Sequence, residues 1–196
     1  MIIGLTGGYA SGKDIIAEYL VKKHGFNRYS LSEIIRESLE EDKKEITRDA
    51  LIKRGNFLRE KFGAWILAKM ISDKIDKNKN YVIVSFRNPS EVRYFKKFYD
   101  DFFLAEVRAP ADLRYARAKE RFREKEHVKS LDAFIKSENK EMHSNNPDSQ
   151  QLRKVFELAS IVVKNDVLRN ELYRKVDRMY FDIRDKLNKK FRKKRK

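Results

Sequence analysis

The sequence contains no cysteine and only three prolines and seven glycines among its 196 residues. Without cysteine there can be neither a disulfide framework nor thiol chemistry, and three scattered histidines argue against a zinc site. The scarcity of proline and glycine leaves little material for flexible linkers, and no internal repeat or low-complexity segment divides the chain. At this length we expect one domain with a sizeable core.

Long apolar runs are missing as well. No uncharged apolar segment approaches the roughly 18 residues that a membrane-spanning helix needs. Met1 leads directly into a strand-like run, without the basic and apolar regions of an export signal. We therefore expect a soluble, cytoplasmic protein that has no membrane contact. The sequence does not indicate an oligomeric state.

Negative charge is scarce relative to positive charge. The chain has 46 Lys and Arg against 30 Asp and Glu, a formal net charge of +16, which favours polyanionic partners in general. The segment KLNKKFRKKRK, residues 186–196, holds eight basic residues and no acidic one. We expect it to be a solvated, mobile basic tail. It either makes a weak contact with nucleic acid or an anionic surface, or only promotes solubility.

The sequence does contain a regular alternation of strand-like and helix-like segments. Short β-branched runs such as MIIGLT and YVIVSF are separated by segments with helical spacing of apolar residues. This alternation predicts an α/β fold in three layers, with a parallel sheet covered by helices on both faces. Ligands of such sheets bind beyond the carboxyl ends of the strands. The predicted helices span about residues 13–23, 30–41, 49–63, 64–77, 112–126 and 168–187.

The segment GLTGGYASGKD, residues 4–14, has the G-x-x-x-x-G-K spacing of a phosphate-binding loop between a strand and a helix. Glycine lets backbone N–H groups approach phosphate oxygens, and the helix N-terminus adds partial positive charge. Lys13 is expected to be a solvent-facing side chain that spans the β- and γ-phosphates. The predicted nucleotide-binding residues of the loop are Gly7, Gly8, Ala10, Ser11, Gly12, Lys13 and Asp14.

Asp14 stands where such loops carry the Ser or Thr whose hydroxyl ligates Mg²⁺. Carboxylate oxygens are good hard ligands for Mg²⁺, so we expect Asp14 to act on the metal or its waters. The alternative is that Asp14 is only a helix-start residue, favoured by the helix dipole. The sequence leaves both interpretations open.

Five segments, in this order, resemble the P-loop nucleoside monophosphate kinase group. This group includes adenylate kinase-like proteins, dephospho-CoA kinase and the kinase-like segment of some deoxycytidylate deaminases. The resemblance covers roughly residues 1–180. It implies a P-loop NTPase fold over residues 1–185, a helical lid at about residues 114–147, and the cofactors ATP and Mg²⁺. The segments are TGGYASGKDIIAEYL, YSLSEIIRE, GNFLREKFG, VIVSFRNPSEVRYFKK and APADLRYARAKER.

The resemblance also implies ligands for the phosphate of the acceptor. Arg36 in YSLSEIIRE and Arg87 in SFRNP match positions that bind this phosphate, and two guanidinium groups suit a dianion. Arg59 in NFLRE is a weaker match. For each of these arginines the alternative is an ordinary ion pair or a structural role.

Other matches concern the lid and the donor nucleotide. Arg117 and Arg121 resemble lid arginines that neutralise charge on the transferring phosphoryl group, so they join Lys13 and Arg87 as predicted catalytic residues. Their alternative role is a solvated helix face. Asn165 partly matches the stretch that meets the donor base.

One departure from the group concerns the metal. Ser85 stands where the group has a strand-end Asp that organises the water ligands of Mg²⁺, and Asp14 or Glu33 could compensate.

The resemblance implies ATP-dependent phosphoryl transfer to a small acceptor, a (deoxy)nucleoside monophosphate or dephospho-CoA. The alternative is an adenylate kinase-like ATP-binding protein or ATPase that acts with RNA or a protein partner through its basic tail.

Overall fold

The computed structural model describes residues 1–120 and 130–194, without the side chains of residues 191, 193 and 194. Five strands lie within these residues: β1 (Ile2–Thr6), β2 (Asn27–Ser30), β3 (Tyr81–Val84), β4 (Phe102–Arg108) and β5 (Ile161–Lys164). The helices are α1 (Lys13–His24), α2 (Leu31–Glu41), α3 (Arg48–Phe62), α4 (Ile66–Ser72), α5 (Pro89–Phe98), α6 (Ala111–Glu120), α7 (Leu131–Met142), α8 (Leu152–Glu157) and α9 (Arg169–Lys194).

The strands form one parallel sheet in the order β2-β3-β1-β4-β5. β1 lies at its centre, and all five residues of β1 are buried because helices cover both faces of the sheet. The predicted α/β/α layering is therefore confirmed. The glycine-rich loop connects the carboxyl end of β1 to the start of α1, so it lies at the edge of the sheet where ligands bind in such folds.

Two apolar clusters hold the layers together. On one face α1 and α9 pack against the sheet through residues such as Ile16, Leu20 and Ile183. On the other face α2, α4 and α5 contribute residues such as Leu67 and Phe95. Each large apolar side chain buried in this way stabilises the fold by about 1.5–3 kcal/mol relative to an exposed one.

The helix α4 is shorter than the sequence predicts. α4 ends at Ser72 rather than near residue 77. The chain then turns, and the Asp76 carboxylate accepts a hydrogen bond from the N–H of Asn78 at 2.9 Å, a local bond that competes with helix continuation.

No helix among the described residues has the length and apolar character that crossing a membrane requires.

The basic tail is not a separate segment from residue 186, because α9 runs across the predicted boundary to Lys194. Leu187 continues the buried stripe of this helix and is 7% exposed. Lys190 donates to the backbone carbonyl of Asp100 at 2.8 Å. Residues 186–194 are therefore helical rather than an irregular tail, while the mobility of this segment stays a prediction.

Candidate functional site

The phosphate-binding loop leaves β1 after Thr6 and has a backbone that suits its glycines. Gly7 and Gly12 have φ angles of 146° and 95°, in the region that favours glycine, and Ala10 has a φ of 58°. Lys13 is not the solvent-facing side chain that the sequence suggested, since it is only 7% exposed. Its ammonium donates to the carbonyls of Gly7 and Gly8 at 2.8 and 2.9 Å, so its charge lies over the loop.

Asn165, which follows β5, supports the loop from behind. Its side-chain N–H donates to the carbonyl of Ser11 at 2.8 Å, and Asn165 is 2% exposed. A Cβ atom added at Gly12 would collide with the Asn165 amide, so glycine is needed there for packing as well as for its φ angle. The structure thus gives Asn165 a positioning role, while its contact with the donor base stays a prediction.

Two cavities meet at Ala10. The first, the α3-side cavity, encloses about 140 Å³ between the loop, α2, α3 and the end of β3. It brings together most of the predicted site residues and adds others that the sequence did not single out. Its predicted members are Lys13, Asp14, Arg36, Arg59 and Arg87, and its main additions are Arg28, Arg48 and Glu141.

Glu141 of α7 lies in the α3-side cavity among cations. Its Oε1 accepts from Arg48, with Nε at 3.2 Å, and its Oε2 accepts from Arg87. Burial opposes ionisation of this carboxyl, but Arg87 and Arg48, with a further contribution from Lys13, outweigh it and hold the pKa of Glu141 below its usual range. An ionised carboxylate therefore lies in the place where the sequence predicts an acceptor phosphate.

Arg59 forms a buried ion pair. Its Nε and Nη2 each lie 2.9 Å from Oε1 of Glu91, and neither side chain is more than 1% exposed. The other oxygen of Glu91 accepts from the backbone N–H of Arg87 at 2.9 Å and closes a capping box with Asn88 at the start of α5. Arg59 thereby positions the backbone of Arg87. Its role as an acceptor ligand stays a prediction.

Arg28 of β2 links the two carboxylates that the sequence associates with Mg²⁺. Its guanidinium donates to Asp14 at 3.2 Å and to Glu33 at 2.6 Å. Burial lowers the pKa of Arg28, but the two carboxylates outweigh this and raise it. No three His, Cys, Asp or Glu side chains within residues 1–120 and 130–194 are grouped to hold a metal.

The end of β3 is strained at Ser85, which has a φ of 73°, a conformation that is uncommon without glycine. Its hydroxyl accepts from Ser32 at 3.3 Å, and Ser32 in turn lies 2.9 Å from the hydroxyl of Ser30. These three hydroxyls line the α3-side cavity close to Asp14 and Arg28. Mg²⁺ is usually held by one or two carboxylates together with waters and substrate phosphates, so the donors present fit this ion.

The second cavity, the α9-side cavity, encloses about 410 Å³ on the other side of Ala10. It is bordered by Gly12 and Asn165 and by the predicted catalytic Arg117 of α6. The predicted residues thus separate into two groups, with Arg36, Arg59 and Arg87 on one side of the loop and Arg117 and Asn165 on the other. Arg121 lies outside the described residues.

α6 and α7, which belong to the predicted lid, are joined at the loop by Arg114 and Glu138. Arg114 is 7% exposed and donates to Oε2 of Glu138 at 2.7 Å and to the Tyr9 carbonyl at 3.3 Å. Glu138 and Arg114 lie so close to Gly8 that a Cβ atom there would collide with both. Whether this part of the chain moves as a lid stays a prediction.

Sequence reasoning missed Arg48, Glu138 and Glu141, although one signal for them exists. Phe134, Glu138 and Glu141 are spaced i, i+4, i+7 on α7, so they share one helix face, and all three are buried. Two glutamates on the apolar face of a helix need buried cationic partners. That pattern points to a charged site on the chain packed against α7.

No family model matches the chain. It is 32% identical to a UPF0200 protein of Thermococcus gammatolerans over 129 residues, which cover 63% of this chain and 67% of that protein. It is 28% identical to a UPF0200 protein of Thermoplasma volcanium over 190 residues, which cover 93% and 97%. It is also 32% identical to a dephospho-CoA kinase of Fusobacterium nucleatum over 99 residues, about half of each chain (50% and 49%).

The fold is similar to solved kinase structures. A shikimate kinase of Bacteroides thetaiotaomicron matches with a TM-score of 0.58 at 15% identity, covering 91% of this chain and 96% of that one. A gluconokinase of Sinorhizobium meliloti matches with a TM-score of 0.55 at 11% identity, covering 92% and 95%. These matches confirm the P-loop kinase fold that the motifs predicted.

Proposed function

This chain belongs to the UPF0200 family, and we propose that it is an ATP-dependent kinase that transfers a phosphoryl group to a small acceptor that itself carries a phosphate. The observation that supports this most strongly is the position of the loop between two cavities that meet at Ala10. A transferase needs two adjacent anion sites, one on each side of the moving group. The favoured acceptors are a (deoxy)nucleoside monophosphate and dephospho-CoA.

In this proposal ATP lies on the loop and extends into the α9-side cavity. The backbone of the loop would hold its phosphates, and the ammonium of Lys13 would exchange the carbonyls of Gly7 and Gly8 for phosphate oxygens. Arg117, which borders that cavity, would balance charge on the transferring group. Enzymes catalyse phosphoryl transfer mainly by positioning the reactants and by stabilising charge, and a site that is rich in cations can supply that stabilisation.

The acceptor would lie in the α3-side cavity, with its phosphate held by Arg87 and Arg36. Mg²⁺, when bound, would neutralise charge on the donor phosphates. Asp14 and Glu33 are the carboxylates that would hold it or its waters. Both now share Arg28, so metal binding would exchange one cationic partner for another.

Transfer from labelled ATP to a panel of nucleoside monophosphates, deoxynucleoside monophosphates and dephospho-CoA tests the proposal. We expect one acceptor to become labelled in a Mg²⁺-dependent reaction. ATP hydrolysis without labelling of any acceptor would contradict the kinase assignment. The same assay with Lys13→Ala serves as the control for contaminating kinases.

A specific surface feature favours a second candidate, an ATPase that acts with single-stranded RNA. A groove of about 540 Å³ between α4 and α5 is lined by Trp65, Tyr94 and Phe98 together with Lys69, Arg93 and Lys97. Trp65 and Phe98 are 42% and 55% exposed, and no acidic side chain borders the groove within the described residues. Aromatic faces for bases beside cations for phosphates suit single strands.

ATP hydrolysis measured with and without single-stranded RNA separates the two candidates. Stimulation by RNA that is lost in Trp65→Ala supports the ATPase, with Phe181→Ala as a matched exposed aromatic outside the groove. Hydrolysis that RNA leaves unchanged, together with a labelled acceptor, supports the kinase.

A further inference from the structure

We propose that Arg48 joins Arg87 and Arg36 in the binding site for the acceptor's phosphate, and that Glu141 fills the space between Arg48 and Arg87 in the free protein as an internal substitute. The inference rests on the proposed function, because it names the part of the acceptor that the α3-side cavity recognises. It also adds Arg48, at the first position of α3, and Glu141 of α7 to the site.

The geometry around Glu141 is that of an anion site with two cationic walls. Arg48 approaches one carboxylate oxygen through Nε and Nη2, and Arg87 approaches the other through Nη1. Glu141 is 4% exposed, whereas Arg48 and Arg87 are 17% and 19% exposed. The carboxylate therefore lies inside, while the two guanidinium groups retain some access from the cavity.

The carboxylate does not satisfy the site completely. Nη1 of Arg48 is buried and has no hydrogen-bond partner among the described residues. A carboxylate offers two oxygens and a terminal phosphate offers three, so a phosphate could accept from Nη1 and Nη2 at the end of the Arg48 guanidinium as well as from Arg87. A buried donor without a partner costs free energy that a ligand can recover.

Both arginines are held in place without Glu141. The guanidinium carbon of Arg48 lies 4.3 Å from the centre of the Tyr9 ring in the phosphate-binding loop. Glu91 fixes the backbone of Arg87, and the side chain of Gln150 accepts from Nη1 of Arg87 at 3.3 Å. The site would therefore persist when the carboxylate leaves.

The site also lies within reach of the loop. Lys13 and Glu141 line the same cavity, and Lys13 is one of the groups that stabilise the charge of Glu141, so an anion between Arg48 and Arg87 would share this cavity with the ammonium that would hold the donor phosphates. Glu141 is part of the chain and competes with any incoming anion at a high effective concentration. Acceptor binding would thus release the Glu141 end of α7, while the ion pair of Glu138 with Arg114 is a separate contact.

Calorimetric titration with inorganic phosphate, without nucleotide and at ionic strength held constant with NaCl, tests the inference. We expect Glu141→Gln to bind phosphate about tenfold more tightly than the unmodified protein, since a charged competitor is removed. Adding Arg48→Lys to this variant should cancel the gain, because an ammonium cannot reproduce the guanidinium fork. Asp132→Asn, an exposed position on the same helix, controls for the change in net charge.

Removal of a buried anion could also prevent Glu141→Gln from folding, so a measurement on the unmodified protein accompanies it. Saturating phosphate should speed hydrogen exchange at the amides of α7, with α1 as the internal reference. Unchanged exchange in α7, or a folded Glu141→Gln variant with unchanged phosphate affinity, overturns the inference. Neither result bears on turnover. Conversely, tighter phosphate binding by Glu141→Gln in a protein that labels no acceptor would refute the kinase and leave the anion site in place.

Discussion

The two cavities that meet at Ala10 differ in how their charges are satisfied. In the α3-side cavity Arg48 and Arg87 share a carboxylate that is 4% exposed and belongs to a distant helix. At the α9-side cavity the charged residues Glu120 and Arg169 are exposed to solvent. Exposed charges interact weakly because water screens them, whereas removing one partner of a buried pair is costly. In our proposal the α3 side is a preformed anion site, whereas Glu120 and Arg169 at the α9 side are exposed to solvent.

This difference suits two ligands with different demands. A preformed pair of guanidinium groups selects for a dianion of fixed geometry, as an acceptor phosphate is. In the proposed function the donor needs less selection from arginines, because the backbone of the loop would bind its phosphates. On this view specificity for the acceptor class resides in the α3-side cavity, and catalytic charge is supplied by Lys13, which lines that cavity in the same loop as Ala10, where the two cavities meet.

Lys13→Ala should produce the largest effect, because the proposed function places the Lys13 ammonium on the donor phosphates, beside the cavity for the acceptor. We expect kcat to fall by about 10²–10³-fold, the range seen when one stabilising donor is removed from a transition state. The midpoint of thermal unfolding should change little, since the ammonium contacts loop carbonyls rather than the core. Lys22→Ala, an exposed position on α1, is the control. Equal turnover in the two variants would contradict the assignment of the loop.

Two matched substitutions test whether the cavities are functionally separate. Arg87→Lys should raise KM for the acceptor about tenfold, because an ammonium loses one charge-assisted hydrogen bond of the fork, and should leave KM for ATP unchanged. Arg117→Lys should show the reverse preference. Steady-state kinetics with each substrate varied in turn decides this. Loss of both affinities in both variants would mean that the arginines act together and that the comparison is mistaken.

The parallel sheet, the phosphate-binding loop and the side of the loop on which most of the predicted arginines lie could be predicted from the sequence, because they follow from local signals. Alternation of apolar runs and the spacing of Gly7, Gly12 and Lys13 are readable within about 20 residues. The partners of the charges are not local. Arg48 and Glu141 are 93 positions apart, and Arg87 and Glu141 are 54 apart. No spacing rule connects them, since the fold brings them together.

The end of α9 shows the opposite kind of error, in which composition outweighed a local pattern. The run of lysines and arginines indicates a solvated tail, but the buried apolar spacing of α9 continues through Val176, Met179, Ile183 and Leu187. Apolar residues three or four apart mark one helix face. This spacing already carries the predicted helix to residue 187, beyond the predicted domain boundary at residue 185, and the structure continues the helix to Lys194.

Substitutions of Asp14 test whether this unusual residue of the loop binds Mg²⁺ or its waters. Asp14→Asn should raise the Mg²⁺ concentration for half-maximal activity about fivefold, if loss of a charge-assisted contact costs about 1 kcal/mol. Asp14→Thr should restore much of the activity, because it recreates the usual loop. Arg28→Gln is the comparison, since it breaks the ion pair but keeps the carboxylate. Superimposable Mg²⁺ titrations of the unmodified protein and Asp14→Asn would exclude the metal role.

The smallest expected effect is on the pH dependence of the free energy of unfolding. It reports how strongly the α3-side cavity stabilises the ionised carboxylate of Glu141. Arg87, Arg48 and Lys13 overcome burial and hold the pKa of Glu141 in the folded state below its usual range. The stabilisation is therefore fully present above the unfolded pKa and is lost as the pH falls through the lower folded value. Urea unfolding from pH 6 down to pH 3 should show the stability advantage of the unmodified protein over Glu141→Gln narrowing as the pH falls, because Glu141 then becomes protonated and loses its ion pairs.

Glu157→Gln, which removes an exposed glutamate paired with Arg153, provides the baseline for this experiment. Its stability should run parallel to that of the unmodified protein, because an exposed pair of this kind contributes little. Phosphate in the buffer offers a second arm. If phosphate replaces the carboxylate between Arg48 and Arg87, it should reduce the difference between the unmodified protein and Glu141→Gln at neutral pH, where Glu141 is ionised and competes. A difference that is independent of both pH and phosphate would mean that Glu141 acts through packing alone, and the contrast between a charged, preformed cavity and an open one would lose its electrostatic basis.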